Sequence, residues 1–282
     1  MIIDCHCHIF TRKVIRNVVS KTELIRELHL DAGAAARFGV EDLVASTCQN
    51  DTNCILFPTS LPENVRDENN RHIGVARSFP GLKTLATLHP DMDGLSAEAE
   101  RVFGLGITGF KFCSFSQRFD ILSARTERML LAVRDIARSK GKQLTILLDT
   151  FTRADFHFVA RPEHLTTPAR LERLVRRHPD ITFMAAHMGG LAADFSELRG
   201  CLSPAPNLYL DTSNAAHTLA PDQFVELLRL HGPDHVLFGT DWPFFDHASE
   251  IPLVDSLLDK AGFSNAEKES VFRRNAEKIF FS

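Results

Sequence analysis

The chain has 282 residues, 44% apolar and 24% charged, which is ample material for a hydrophobic core. Its formal net charge of −4, with no basic stripe, argues against nucleic-acid binding. No apolar run approaches the ~20 residues of a membrane span, and Met1-Ile2-Ile3, interrupted at once by Asp4, is too short for a signal peptide.

A cytoplasmic protein is therefore expected. Its six cysteines (Cys5, Cys7, Cys48, Cys54, Cys113, Cys201) are scattered, and read as free thiols. The aromatic set is 22 Phe against one Trp and one Tyr, which reads as core filling without polar groups to satisfy.

Short apolar runs predict strands at 2–8, 53–58, 83–89, 107–112, 143–149, 181–187, 207–211 and 235–241. Amphipathic stretches at 97–103, 126–140, 167–178 and 222–231 predict helices between them. Thr167-Pro168 and Ala220-Pro221-Asp222 open helices, while His178-Pro179-Asp180 and His231-Gly232-Pro233-Asp234 close them. Eight βα units argue for a single-domain (β/α)8 TIM barrel over residues 1–282. An open doubly wound sheet would carry a Gly-rich loop after its first strand, whereas this strand ends His-Cys-His-Ile-Phe. Insertions are expected at about 12–48, largely helical, and 150–166, a lid-like loop holding Arg153, His157, Arg161 and His164.

Candidate chemistry follows the strand ends. Alternation on the first strand puts His6 and His8 on one face and Cys5 and Cys7 on the other, so one metal cannot take all four. Asp4 shares the histidines' parity and is expected beneath them as a hydrogen-bond acceptor. The third strand ends at His89, before Pro90. Gly109-Phe110-Lys111-Phe112 points Lys111 inward at the end of strand four, and Arg118 follows in its loop. Strand five ends in Asp149. Strand six ends in His187, before Met188-Gly189-Gly190, and strand eight ends in Asp241-Trp242-Pro243. Barrel active sites lie at such C-terminal strand ends. Arg118, Arg153, His89 and Lys111 are candidate contacts for an anionic substrate, and Trp242 is a candidate pocket wall or, equally, a core residue.

The order Asp-x-His-x-His, Gly-Phe-Lys, His-x-Gly-Gly and Leu-Phe-Gly-Thr-Asp-Trp-Pro resembles the amidohydrolase superfamily. It is most similar to the branch of aminocarboxymuconate-semialdehyde decarboxylase and related small hydrolases. The closing Arg274-Asn275-Ala276-Glu277-Lys278-Ile279-Phe280 resembles that branch's last helix. The resemblance implies one divalent metal, zinc before manganese, on His6 and His8. Asp241 would be metal ligand and proton shuttle, and His187 would polarise the substrate. Such a metal lowers the pKa of bound water towards ~7.

One position departs from the pattern, because Asp149 stands where the family has a histidine ligand. Asp149 replaces it as an oxygen ligand, or His157 reaches in, or the site works without metal, as in a lactonase of the wider group. Lys111 is read as a cation for a substrate carboxylate, ahead of a carboxylated bridge between two metals or a lysine snorkelling to the rim. The leading expectation is hydrolysis of a small anionic lactone or amide by activated water. The second is non-oxidative decarboxylation of an unsaturated or aromatic acid, with Asp241 protonating the carbon. The third is a metabolite-binding barrel without chemistry. The expected partner is a small-molecule substrate, with homo-oligomerisation allowed.

Overall fold

The computed structural model describes residues 1–281 and alternates strands with helices along the whole chain. The strands are β1 (Ile2–Cys7), β2 (Thr52–Leu56), β3 (Leu82–Thr84), β4 (Gly109–Phe112), β5 (Thr145–Leu148), β6 (Thr182–Ala185), β7 (Leu208–Asp211) and β8 (Val236–Leu237). One main helix follows each strand: α1 (Val40–Gln49), α2 (Val65–Ser78), α3 (Leu95–Gly104), α4 (Ala124–Ser139), α5 (Pro168–Arg177), α6 (Phe195–Cys201), α7 (Pro221–His231) and α8 (His247–Ala261). This is the expected α/β-barrel pattern. The 12–48 stretch carries helices Arg12–Val19 and Thr22–Glu27, a 3₁₀ turn Ala32–Ala36 and most of α1; the 150–166 stretch carries Ala154–Phe158 and Pro162–His164. No described helix is long and apolar enough to cross a membrane.

The helix ends are built as the sequence suggests. Thr167 caps α5 by accepting from the Arg170 N–H at 3.5 Å, with Pro168 at the first helical position. Ser123 caps α4, and Asp246 caps α8 by accepting from the Ser249 N–H at 3.0 Å.

The chain divides into two compact units. The first comprises Met1–Leu56, Val75–Lys83 and the residues from Leu210 onward. In it β1 pairs in parallel with β2, and its register shifts between Asp4 and Cys7. The end of β7 pairs with β8 through Leu210↔Val236 and Asp211↔Leu237. The chain beyond β8 then runs along β1: the Cys5 N–H donates to Phe238 O (2.8 Å), the Asp241 N–H to His6 O (3.0 Å) and the His8 N–H to Trp242 O (2.9 Å). α7 and α8 pack on each other.

The second unit comprises Phe57–Gly74 and Thr84–Tyr209. In it β4, β5 and β6 pair in parallel without a slip, and Ala86 bridges to Phe110. A Cβ on Gly109 would stand 2.3 Å from the Thr145 carbonyl oxygen, so only glycine lets β4 approach β5 this closely. Every residue of β4 and β5 is buried, as strands covered on both faces require.

The eighth strand is shorter than the 235–241 run predicts. Regular pairing stops at Leu237, and Asp241 adopts a left-handed backbone with φ 64°. That conformation turns the segment away from a ladder.

Candidate metal centre

The first unit gathers His6, His8 and Asp241. β1 presents His6, His8 follows directly after its end, and the bend after β8 presents the carboxylate. His6 Nε2 lies 3.1 Å from His8 Nε2, and Asp241 Oδ1 lies 3.6 Å from each of them. His6 is fully buried, and His8 and Asp241 are 8% and 7% exposed, so the trio is nearly dry yet reachable. A Cβ on Gly239 would stand 2.8 Å from His6 Cβ, so this glycine makes room for the His6 ring beside the end of β8.

The orientation of His6 comes from β7. His6 Nδ1 is 2.9 Å from Asp211 Oδ2 and 2.9 Å from Ser213 Oγ. Ser213 in turn donates its hydroxyl and its N–H to Asp211 Oδ1. Nδ1–H therefore donates to the carboxylate, which leaves the Nε2 lone pair of His6 facing His8 and Asp241. His8 is braced by Phe10, stacked at 4.6 Å between ring centroids.

This donor set fits a divalent ion. Metal–nitrogen and metal–oxygen bonds of ~2.0–2.2 Å put tetrahedral ligand atoms roughly 3.4 Å apart, close to the 3.1 and 3.6 Å separations here. Two imidazole nitrogens and a carboxylate oxygen suit zinc and manganese alike.

Asp211 and Ser213 were not among the residues singled out from sequence, although the β7 run ends in a carboxylate just as the β8 run does. Asp4 was assigned the acceptor role that Asp211 fills. Its carboxylate instead accepts from the His6 backbone N–H at 2.8 Å and from the Thr240 N–H at 3.1 Å. Trp242, expected to wall a pocket, packs with Cys7, Ile9, Leu43, Cys54, Leu56 and Leu82 in an apolar cluster and is 2% exposed. That placement corrects the pocket-wall reading and matches the core alternative.

The second unit holds the remaining candidates. Lys111, at β4, is fully buried and its Nζ has no hydrogen-bond partner among the described residues. Its charge faces Asp149 Oδ2 at 3.6 Å and the Phe57 ring at 5.2 Å. Asp149 also accepts from the Phe151 N–H at 3.2 Å. The nearby Cys113 thiol is pushed above its ordinary range, first by burial and then by the Asp149 charge. Asp149, expected as a metal ligand, is in this unit the counter-ion of Lys111. His187 lies two residues beyond β6, at the start of the 3₁₀ turn His187–Gly189, with a left-handed backbone at φ 56°, and is 3% exposed. A non-glycine residue held at such an angle carries strain of ~1–3 kcal/mol, a cost concentrated at functional sites.

His89 has both ring nitrogens engaged by backbone. Nε2 lies 2.7 Å from Gln117 O, and Nδ1 accepts from the Asp91 N–H at 3.1 Å. It fastens its loop and offers no ring atom to a substrate, which corrects the substrate-contact assignment. Arg118 and Arg153 are exposed, the latter lying over the Phe156 ring at 5.2 Å. His157 is buried and stacks on Phe151 at 5.7 Å.

A family model described as Amidohydrolase matches residues 3–281. None of the curated proteins matches the chain in sequence. Among solved structures, an uncharacterized TIM-barrel protein from Bordetella bronchiseptica superposes with a TM-score of 0.68 at 18% identity, covering 99% of this chain and 97% of that one. A dihydroxybenzoic acid decarboxylase from Polaromonas sp. JS666, with bound manganese and the inhibitor 2-nitroresorcinol, gives 0.70 at 18% identity, covering 99% and 96%. A probable 2-pyrone-4,6-dicarboxylic acid hydrolase from Acinetobacter baumannii, with citric acid bound, gives 0.61 at 15% identity, covering 100% and 99%. These likenesses establish the TIM-barrel fold.

Proposed function

The chain belongs to the amidohydrolase family, and we propose that it is a metal-dependent non-oxidative decarboxylase of an aromatic or unsaturated carboxylic acid. The observation that carries the reading is the His6–His8–Asp241 donor set, with its carboxylate at a left-handed turn. Support comes from similar solved structures named as decarboxylases of dihydroxybenzoate or 5-carboxyvanillate, three of them with manganese bound. This places decarboxylation ahead of the hydrolysis that the sequence ranked first.

His6 Nε2, His8 Nε2 and Asp241 Oδ1 would hold the divalent ion, zinc or manganese. That ion supplies a positive charge that draws electron density towards the substrate's oxygens. The protein's own groups carry the rest. Asp211 and Ser213 fix the His6 tautomer. Asp241, carrying a proton, delivers it to the carbon that bears the carboxylate. A C–H bond forms, the bond to the carboxylate carbon breaks, its electron pair returns to the conjugated system, and CO2 leaves. Water then restores the proton to Asp241. Lys111 is proposed to hold a substrate anion as a buried point charge, and His187 to polarise an oxygen. Arg118 and Arg153 would meet an anionic substrate only from the surface.

The likeness to the pyrone hydrolase favours a second reading, in which Asp241 accepts a proton from a water attacking a lactone carbonyl. The two are separated by incubating the metal-loaded protein with hydroxybenzoic and carboxyvanillic acids, anaerobically and without added cofactor, in deuterated water. Release of CO2 with one deuteron at the vacated carbon is the expected result. Opening of pyrone dicarboxylates without CO2 would establish hydrolysis instead, and inertness towards both classes would remove the catalytic reading.

A further inference from the structure

A second set of metal-type donors lies in the first unit, in the dry packing beside β1. Asp4 and Cys7 of β1, Cys54 of β2 and His247, the first residue of α8, each direct one ligand atom into a cluster whose atoms all lie within 4.8 Å of one another. All four residues are fully buried. Asp4 and Cys7 are an odd number of positions apart, so a regular strand would face them oppositely. The register of β1 shifts between these two residues, and both reach the same cluster.

The ring of His247 is the most informative member. Its Nε2 is 3.0 Å from Asp4 Oδ2 and 3.5 Å from Cys54 Sγ, while its Nδ1 is 2.7 Å from Ser46 Oγ. Without an ion, Nε2–H donates to Asp4. With Nδ1–H donated to Ser46 and Nε2 deprotonated, the ring would instead offer its Nε2 lone pair to a cation, and the Ser46 bond is the kind of outer contact that fixes a metal-ligating histidine. Asp4 is aimed in the same way, by the Thr240 hydroxyl at 2.5 Å, the Thr240 N–H at 3.1 Å and the His6 N–H at 2.8 Å. Zinc bonds of ~2.3 Å to sulfur and ~2.0–2.1 Å to nitrogen separate tetrahedral S and N ligands by roughly 3.6 Å, against 3.5 Å here. Leu43, Leu56 and Trp242 surround the cluster, and the Trp242 ring stacks on His247 at 5.7 Å.

We propose that Asp4, Cys7, Cys54 and His247 form a closed, four-coordinate structural zinc site, separate from the His6–His8–Asp241 centre. Two thiolates, one neutral imidazole and one carboxylate fill a tetrahedron and leave no position for water or substrate. Loading releases the two thiol protons and the proton on His247 Nε2 to solvent. The ion ties the first and second strands to α8.

The full-length protein, produced with zinc in the medium, tests this by metal analysis and zinc-edge X-ray absorption. The His6→Ala/His8→Ala variant is expected to retain one equivalent of zinc, with sulfur scatterers at about 2.3 Å. Cys54→Ser is expected to lose that equivalent and its sulfur signal. Because that variant is also at risk of misfolding, the wild-type protein carries an independent measurement. Replacing zinc with cobalt(II) should give thiolate charge-transfer absorption in the near ultraviolet. Zinc with only nitrogen and oxygen neighbours, cobalt without the thiolate band, or complete metal loss in the His6/His8 variant would each overturn the site. Those results would leave Asp4 and His247 as an ion pair among thiols.

Discussion

His6 and Lys111 are both fully buried, but they are held very differently. One nitrogen of His6 contacts Asp211 and Ser213, and its other faces His8 and Asp241. Lys111 Nζ has no hydrogen bond among the described residues and only a carboxylate 3.6 Å away. The first arrangement is complete before a ligand arrives, as a metal centre needs for its geometry. The second leaves unsatisfied donors in a dry place, which costs stability and is worth keeping only for a ligand that satisfies them. The contrast fits the proposal that one region binds a cation and the other receives an anion.

The strongest way to break this comparison is at Asp241. Asp241→Asn keeps the shape but removes the proton carrier and weakens the ligand. It should lower kcat by ~10³-fold or more, while circular dichroism shows an unchanged fold. Substantial turnover in this variant would mean that the proton moves through another group. Asp211→Asn is expected to act more gently, since the amide no longer offers a charged acceptor to His6 Nδ1. Metal affinity should fall by ~10–100-fold, read by competition with a chelator. An unchanged affinity would show that Asp211 does not set the tautomer.

Gly239→Ala sharpens the same contrast sterically. Its new methyl group would sit 2.8 Å from His6 Cβ, so the ring must move. A stability loss of ~1–3 kcal/mol is expected, together with weaker metal binding. Denaturant melts with and without metal separate the two effects. Loss of stability with full metal affinity would show that β8 yields and His6 does not.

Much of this was legible in the sequence. All eight strands announce themselves as short apolar runs, because barrel staves are buried on both faces. His6, His8 and Asp241 stand out because polar residues at the ends of such runs have few structural uses. What alternation cannot show is a register shift, and so Asp4 was assigned to the wrong partner. Asp211 was hidden in plain view, since its importance depends on pairing β7 with β8 and on the Asp241 N–H meeting His6 O. Trp242 and His89 looked functional by position, but their partners are an apolar cluster and a loop backbone. No local pattern encodes those partners.

The smallest expected effect tests the other half of the comparison. Lys111→Met replaces the ammonium with an apolar chain of similar length. Removing one member of a buried ion pair usually destabilises, because the other charge is stranded. Asp149 is only partly stranded here: its side chain is 14% exposed and it already accepts from the Phe151 N–H. The cost of desolvating Lys111 disappears in full, so the balance should favour the variant by about 1 kcal/mol, seen as a Tm rise of a few degrees. At the same time KM for the carboxylic acid substrate should rise about tenfold, the equivalent of ~1.4 kcal/mol of lost binding, with kcat changing less. A more stable protein with weaker substrate binding is the signature of a charge kept for a ligand. A less stable variant with unchanged KM would show that Lys111 is a structural partner of Asp149, and would remove the anion-receiving half of the comparison.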